Sequence, residues 1–302
     1  MPRLILSSLA ALLLASGITS AAPTKTIKVG QSPESVCRGW GGKLYVTMIN
    51  GDQPGDGEVV EVDGESVKPF AKGLSDPKGI VFVGNLLITS DGTMMWKIAQ
   101  DGTATKLVEA KDFPAPIEFL NDVAVAEDGK SVYVTEMSSP GPMFDPSGER
   151  KLWDLDSEQA KSLPAKGCVY QVSLDGKVKQ VVPPGNVALR FPNGVTVGQG
   201  ASDKQLYVGD FFTGQVHVHK DGKLQSVVSG VRGVDGLAVT PDAIYISSWN
   251  QGKVWKFDRK TQQLKVVHEG LTTAADFFYD EAHQQLIVPD MLAGTLVFLP
   301  VK

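Results

Sequence analysis

The sequence predicts an all-β fold, a six-bladed β-propeller with four antiparallel strands to a blade. Three observations carry this. Helical periodicity is nearly absent, short β-rich runs recur about every 43 residues, and turn residues separate the runs. The runs at 44–47, 86–89, 132–135, 206–208, 244–247 and 286–288 are bounded by Gly, Asp, Asn and Pro. Asp63-Gly64, Asp101-Gly102, Asp175-Gly176 and Asp221-Gly222 supply the positive-φ residues that two-residue hairpins need.

One segment precedes each run. These are Pro33-Glu34-Ser35-Val36, Pro77-Lys78-Gly79-Ile80, Leu120-Asn121-Asp122-Val123, Pro192-Asn193-Gly194-Val195, Val234-Asp235-Gly236-Leu237 and Ala274-Ala275-Asp276-Phe277. Their second members lie at 34, 78, 121, 193, 235 and 275, at intervals of 44, 43, 72, 42 and 40. A period of 40–45 residues with four strands per unit is that of propeller blades. The long interval has a local cause: residues 137–166 interrupt blade 3 between its second and third strands. Blade 6 runs out of chain after three strands, near 275–279, 284–288 and 294–299. Residues 24–29, which alternate in polarity, are expected to supply its fourth and so close the ring without an open edge.

Residues 1–21 stand outside the repeat. Arg3, the apolar run 4–14 and the small residues Ser20, Ala21 and Ala22 read as a secretory signal cleaved after Ala21. The run is too short to span a bilayer comfortably and no second long apolar stretch follows. With no Cys near the site, a lipid anchor is not expected. Residues 22–302 are then one domain of a soluble, exported protein, periplasmic in a Gram-negative host or secreted.

The formal charge of −5 becomes one unit more negative when Arg3 leaves, and charges of both signs are mixed along the chain. This argues against nucleic acid or an anionic membrane as a partner. Cys37 and Cys168 fall in non-adjacent blades and read as separate buried thiols. Four histidines without Cys/His clustering leave no zinc or haem signature. A closed propeller folds without a partner, so a monomer is expected.

The first strand of a blade lines the central channel, so the repeat places Glu34, Lys78, Asn121, Asn193, Asp235 and Ala275 in a ring around the axis. A position needed only for packing would be small or apolar throughout. Here four members carry carboxylate or amide oxygens, a hard donor set of charge −2 suited to Ca²⁺. A hydrogen-bonded polar plug filling a wet channel is the other reading of the same residues.

These residues, in their Pro-Glu, Asn-Asp, Pro-Asn-Gly and Asp-Gly contexts, resemble the axial site of the senescence-marker/gluconolactonase family of propeller hydrolases, to which paraoxonase is related. The resemblance spans about residues 30–300. It implies that Glu34, Asn121, Asn193 and Asp235 surround a catalytic Ca²⁺ and that Asp235 is the candidate general base or nucleophile. Asp235 as a plain ligand is the alternative. The metal would polarise the carbonyl of a lactone or ester, with Asn121 and Asn193 orienting it. Two positions depart from the family. Phe119 stands where aldonolactone-processing members carry Arg, which counts against a sugar-acid substrate. Lys78 stands where paraoxonase has His. Three roles are open to it: a neutral base, an ion-pair partner of Glu34 or Asp235, or a contact to an anionic substrate group.

The insertion should lie at the same end of the channel. Its Met143, Phe144, Leu152 and Trp153 could wall a substrate pocket with Phe119, or pack only on blade 3. The Gly-rich loop 50–57 should overhang the same end. Glu136, Asp210 and Asp290 end second strands there, as supports for the axial residues or as solvated acids. His217 and His219 read as surface residues. Two functions follow: a Ca²⁺-dependent hydrolase of lactones or related esters, with a small-molecule substrate, or a non-enzymatic propeller that binds a small molecule or protein around a structural Ca²⁺. A lyase finds no matching His arrangement.

Overall fold

The computed structural model describes residues 21–200 and 203–301. They form six four-stranded antiparallel sheets. Blade 1 runs outward through Pro33–Arg38, Leu44–Met48, Gly57–Asp63 and Ser66–Leu74. The innermost strands of blades 2–5 are Pro77–Val83, Leu120–Val125, Pro192–Val197 and Val234–Val239. All begin within one residue of the repeat positions read from the sequence. The signal-peptide reading falls on residues 1–21, of which 1–20 lie outside the described residues. Among the described residues no helix is long and apolar enough to cross a membrane.

The ring closes as expected. Lys25–Lys28 pairs antiparallel with Thr295–Pro300, with Lys25 opposite Phe298 and Lys28 opposite Thr295. Blade 6 differs from the expectation at its inner edge, where the regular strand is only Phe278–Asp280 and an isolated bridge joins Ala274 to Asp290. There Ala275 N–H still donates to the Pro289 carbonyl (3.0 Å), and the Asp276 carboxylate takes the Phe277 amide and the Ser35 hydroxyl of blade 1.

The core lies between blades. Separate buried apolar clusters join blades 1–2, 2–3, 3–4, 4–5, 5–6 and 6–1. Each blade thus buries both faces against its neighbours, so apolar burial drives the closed ring as well as each sheet. Cys37 and Cys168 are free and buried, each in a different one of these clusters.

Candidate functional site

In blades 1–5 the innermost strand carries a β-bulge at the axial position. Pro33 pairs with Met48 and Val36 with Val46, so three steps on one strand oppose two on the other. The same shift recurs at Pro77/Ile80, Leu120/Val123, Pro192/Val195 and Val234/Leu237. A bulge re-aims the extra side chain and frees an amide from the ladder. Hydroxyls on the second strand take that amide: Ser35 N–H donates to Thr47 Oγ1 (2.9 Å), Asp122 N–H to Thr135 Oγ1 (3.0 Å) and Gly236 N–H to Ser247 Oγ (2.7 Å). Thr135 also donates to the carbonyl of Asn193, 2.9 Å away in the next blade. The axial residues are therefore fixed by hydrogen bonds within and between blades.

Carboxylates at the far end of the second strands hold the loops that lead into the axial strands. Asp91 accepts from the amides of Ser75 and Asp76 and from Trp96 Nε1. Glu136 accepts from the amides of Glu118, Phe119 and Ser138. Asp210 accepts from Arg190, Phe191 and Thr213, and Asp290 from Thr272 and Thr273. All four are buried, not solvated acids at loop edges. Sequence reasoning missed Asp91, although a signal existed: each acid pairs with the residue just before an axial one. Asp210→Ala would leave three amides unsatisfied. It should cost about 3 kcal/mol, seen as a lower urea midpoint at unchanged slope, with Asp210→Asn losing less. A midpoint that stays at the wild-type value would remove this role.

Glu34, Lys78, Asn121, Asn193 and Asp235 line one cavity of about 190 Å³. The four oxygen-bearing members are 3–5 % exposed. Glu34 Oε2, Asn121 Oδ1, Asn193 Oδ1 and Asp235 Oδ1 are all buried without a hydrogen-bond partner. Asn121 donates through Nδ2 to Met137 Sδ (3.1 Å), which leaves its oxygen free for the cavity. Buried oxygens are normally paired, so four orphans on one cavity fit a cation. Among the described residues no three His, Cys, Asp or Glu converge on a metal position. The axial ring has only two carboxylates, and its other two donors are amides. Burial pushes Glu34 up to about 8, opposed by the Lys78 ammonium. Asp235 is raised well above the carboxylate range by burial and by Glu34.

The family comparisons bear on this arrangement. A protein-family model described as the SMP-30/gluconolactonase/LRE-like region matches residues 56–288. The chain belongs to this family. A gluconolactonase from Xanthomonas campestris, described as important in glucose secondary metabolic pathways, superposes with a TM-score of 0.61 at 19 % identity, over 93 % of this chain and 99 % of that one. A chain from a nidogen/laminin complex superposes at 0.59 and 15 % identity, covering 80 % and 81 %. At these identities the likenesses show the fold. A search of curated protein sequences gave no match.

Within this SMP-30/gluconolactonase-like site several sequence readings need correction. Lys78 pairs with neither Glu34 nor Asp235. Its ammonium lies 2.6 Å from Asp76 Oδ1 and 5.4 Å from the Phe119 ring centre. The cause is the loop geometry above, since Asp91 pins the Asp76 amide and so sets its carboxylate beside Lys78. Loop 50–57 folds on itself, with Asn50 Nδ2 donating to the Asp56 carbonyl (2.9 Å), and does not line the cavity. Trp153 packs inside the insertion's apolar cluster, while Phe119 does line the cavity. His217 is buried, not a surface residue, under the backbone of Ala188, and its burial lowers its pKa. His219 is half-buried.

One layer below the axial ring lie Ser35, Asp122 and Asp276, whose joint burial sequence reasoning did not anticipate. Asp122 accepts from the amides of Val123 and Val195, both at 2.6 Å. Burial raises Asp276 to about 6, and burial together with Asp276 raises Asp122 well above its ordinary value. These two acids also line a second cavity, of about 290 Å³, among residues further along the innermost strands.

The insertion reaches across the channel instead of packing only on blade 3. Arg190 of blade 4 donates to the Ala160 carbonyl (2.6 Å), and Arg232 of blade 5 to that of Trp153 (2.9 Å). Arg150 of the insertion donates to the Thr272 carbonyl in blade 6. Met143, Leu152 and Ala160 bury against Phe191, Phe211 and Phe212. It forms a roof.

Proposed function

We propose that this chain is a Ca²⁺-dependent hydrolase of lactones or related esters, exported to the periplasm or the medium. One observation carries the reading: four buried, unpaired oxygens from four blades meet on a single cavity under an apolar roof. Family membership and the likeness to a gluconolactonase support a lactonase-type hydrolase.

Glu34, Asn121, Asn193 and Asp235 would hold the ion, which when bound supplies a Lewis acid that polarises the substrate carbonyl. Asp235 then takes a proton from the attacking water. Its high proton affinity in this buried setting suits it to that task once a neighbouring charge is compensated. Asn121, whose Nδ2 donates to Met137 Sδ, and Asn193, whose backbone carbonyl accepts from Thr135, would present their Oδ1 atoms to the ion. Phe144 and Met143 of the roof line one side of the site, and beside such apolar walls each fixed dipole acts more strongly than in bulk water.

Calcium titration followed by thermal unfolding tests the cation. At about 100 times Kd the ligand adds about 2.7 kcal/mol, or about 5 °C in Tm for a domain of this size. The pH dependence has a definite sign. Glu34 ionises near 8 in the fold against about 4.5 unfolded, so the stability linked to its proton is present at low pH and lost as pH rises through 8. The cation-free protein should therefore melt lower at pH 8 than at pH 5.5. The gain from Ca²⁺ should be larger at pH 8, where binding has fewer protons to displace. No gain at pH 8 would refute the cation site.

A further inference from the structure

We infer that the substrate's non-reacting part is a compact apolar group, selected by Phe144, Phe211 and Trp249. This rests on the hydrolase reading above. The cavity has a polar floor and apolar walls. Its polar lining is confined to the five axial side chains, and the remainder is aromatic, methionine and proline. Phe144 from the roof, Phe211 from blade 4 and Trp249 from blade 5 form a triangle of rings with centres 6.3, 6.4 and 6.2 Å apart. Edge-to-face and tilted contacts at this spacing make a stiff wall. Met143 and Met291 fill the space beside it.

Two polar groups beside the wall have partners. Trp249 Nε1 donates to Met291 Sδ at 3.3 Å, and the Arg150 guanidinium lies over the Trp249 ring at 5.9 Å while bonded to the Thr272 carbonyl. Lys78 is held by Asp76. A polyhydroxylated ring seated on the floor would turn its hydroxyls toward sulfur and aromatic faces, where they lose their water without gaining partners. An alkyl or aryl substituent gains burial in the same place. At about 190 Å³ the cavity is smaller than the roughly 300–1,000 Å³ of sites for drug-sized ligands, so the part of the group seated in it is short.

The test compares kcat/KM at saturating Ca²⁺ for a δ-lactone bearing a short alkyl chain, unsubstituted δ-valerolactone and glucono-δ-lactone. The wild type is expected to prefer the alkyl lactone over the gluconolactone by about 10²-fold, and the alkyl over the unsubstituted lactone by roughly tenfold or more. In Phe144→Ala and Trp249→Ala the second ratio should fall roughly tenfold, with Phe144→Leu, which keeps the bulk, retaining most of it. Circular dichroism of each variant checks the fold. Equal or better turnover of gluconolactone, or ratios unmoved in both alanine variants, overturns the inference and leaves the hydrolase reading intact. Failure to hydrolyse any lactone or ester removes the hydrolase reading instead. Calorimetry with an alkyl δ-lactam then decides the ligand class: binding weakened by Phe144→Ala sustains an apolar ligand, and no binding ends it.

Discussion

Asp235→Asn lowers kcat/KM for lactone hydrolysis by about 10²–10⁴-fold, the range lost when a positioned general base is removed. The substitution keeps size and one oxygen donor but deletes the basic group. Asp235 is buried, lines the cavity with Glu34, Asn121 and Asn193, and has an oxygen with no other partner. The same variant separates two roles. If Asp235 serves only as a ligand, the loss reflects weaker cation binding, and raising Ca²⁺ to saturation restores the rate. If it is the base, the rate stays low at saturation. Steady-state kinetics over a calcium series decides this, and wild-type activity at every calcium level would remove the axial site from consideration.

Gly194→Ala destabilises the fold by about 3 kcal/mol or more and takes activity with it. The innermost strands converge on the axis, and Gly194 lies where blade 4 meets blade 5. A Cβ there would press into the Asp235 carbonyl oxygen, far inside the 3.0 Å that real Cβ contacts respect, with Leu237 Cγ at 3.0 Å behind it. Backbone cannot move aside cheaply in a close-packed interior. Whatever shift accommodates the methyl also displaces Asp235 from its position in the axial ring. Gly141→Ala is the contrast, since a Cβ there meets nothing within 4 Å beyond its chain neighbours, and its cost should be well below that of Gly194→Ala. Urea unfolding of the pair measures both. Equal stability of the two variants would mean that the blades yield at the axis and that the site is softer than argued.

Much of the architecture was legible because a propeller repeats itself. Alternating apolar residues and Asp-Gly turns mark strands locally, and the recurrence of Glu34, Asn121, Asn193 and Asp235 in phase marks one layer in space. The closure by residues 25–28 followed from counting strands. Readings failed where a side chain's surroundings come from another part of the chain. Lys78 looked poised between Glu34 and Asp235, yet it meets Asp76, placed there by a hydrogen bond to Asp91 at the far end of the next strand. His217 sits in an alternating strand that suggests an exposed face, but the segment around Ala188 covers it. Trp153 looked like a pocket wall and lies within the roof's own packing.

The chain by itself determined the number of blades, the place of the interruption in blade 3 and which four oxygen-bearing side chains line the axial cavity, because each is written as a period or a departure from one. Only the tertiary structure decided which oxygens lack partners, that the insertion spans blades 4 to 6, and that Asp122 and Asp276 lie buried beneath the axial ring. Those features depend on contacts between residues far apart in sequence, such as Arg150 with Thr272 and Ser35 with Asp276. Such contacts exist only once the ring has closed and brought its first and last blades together.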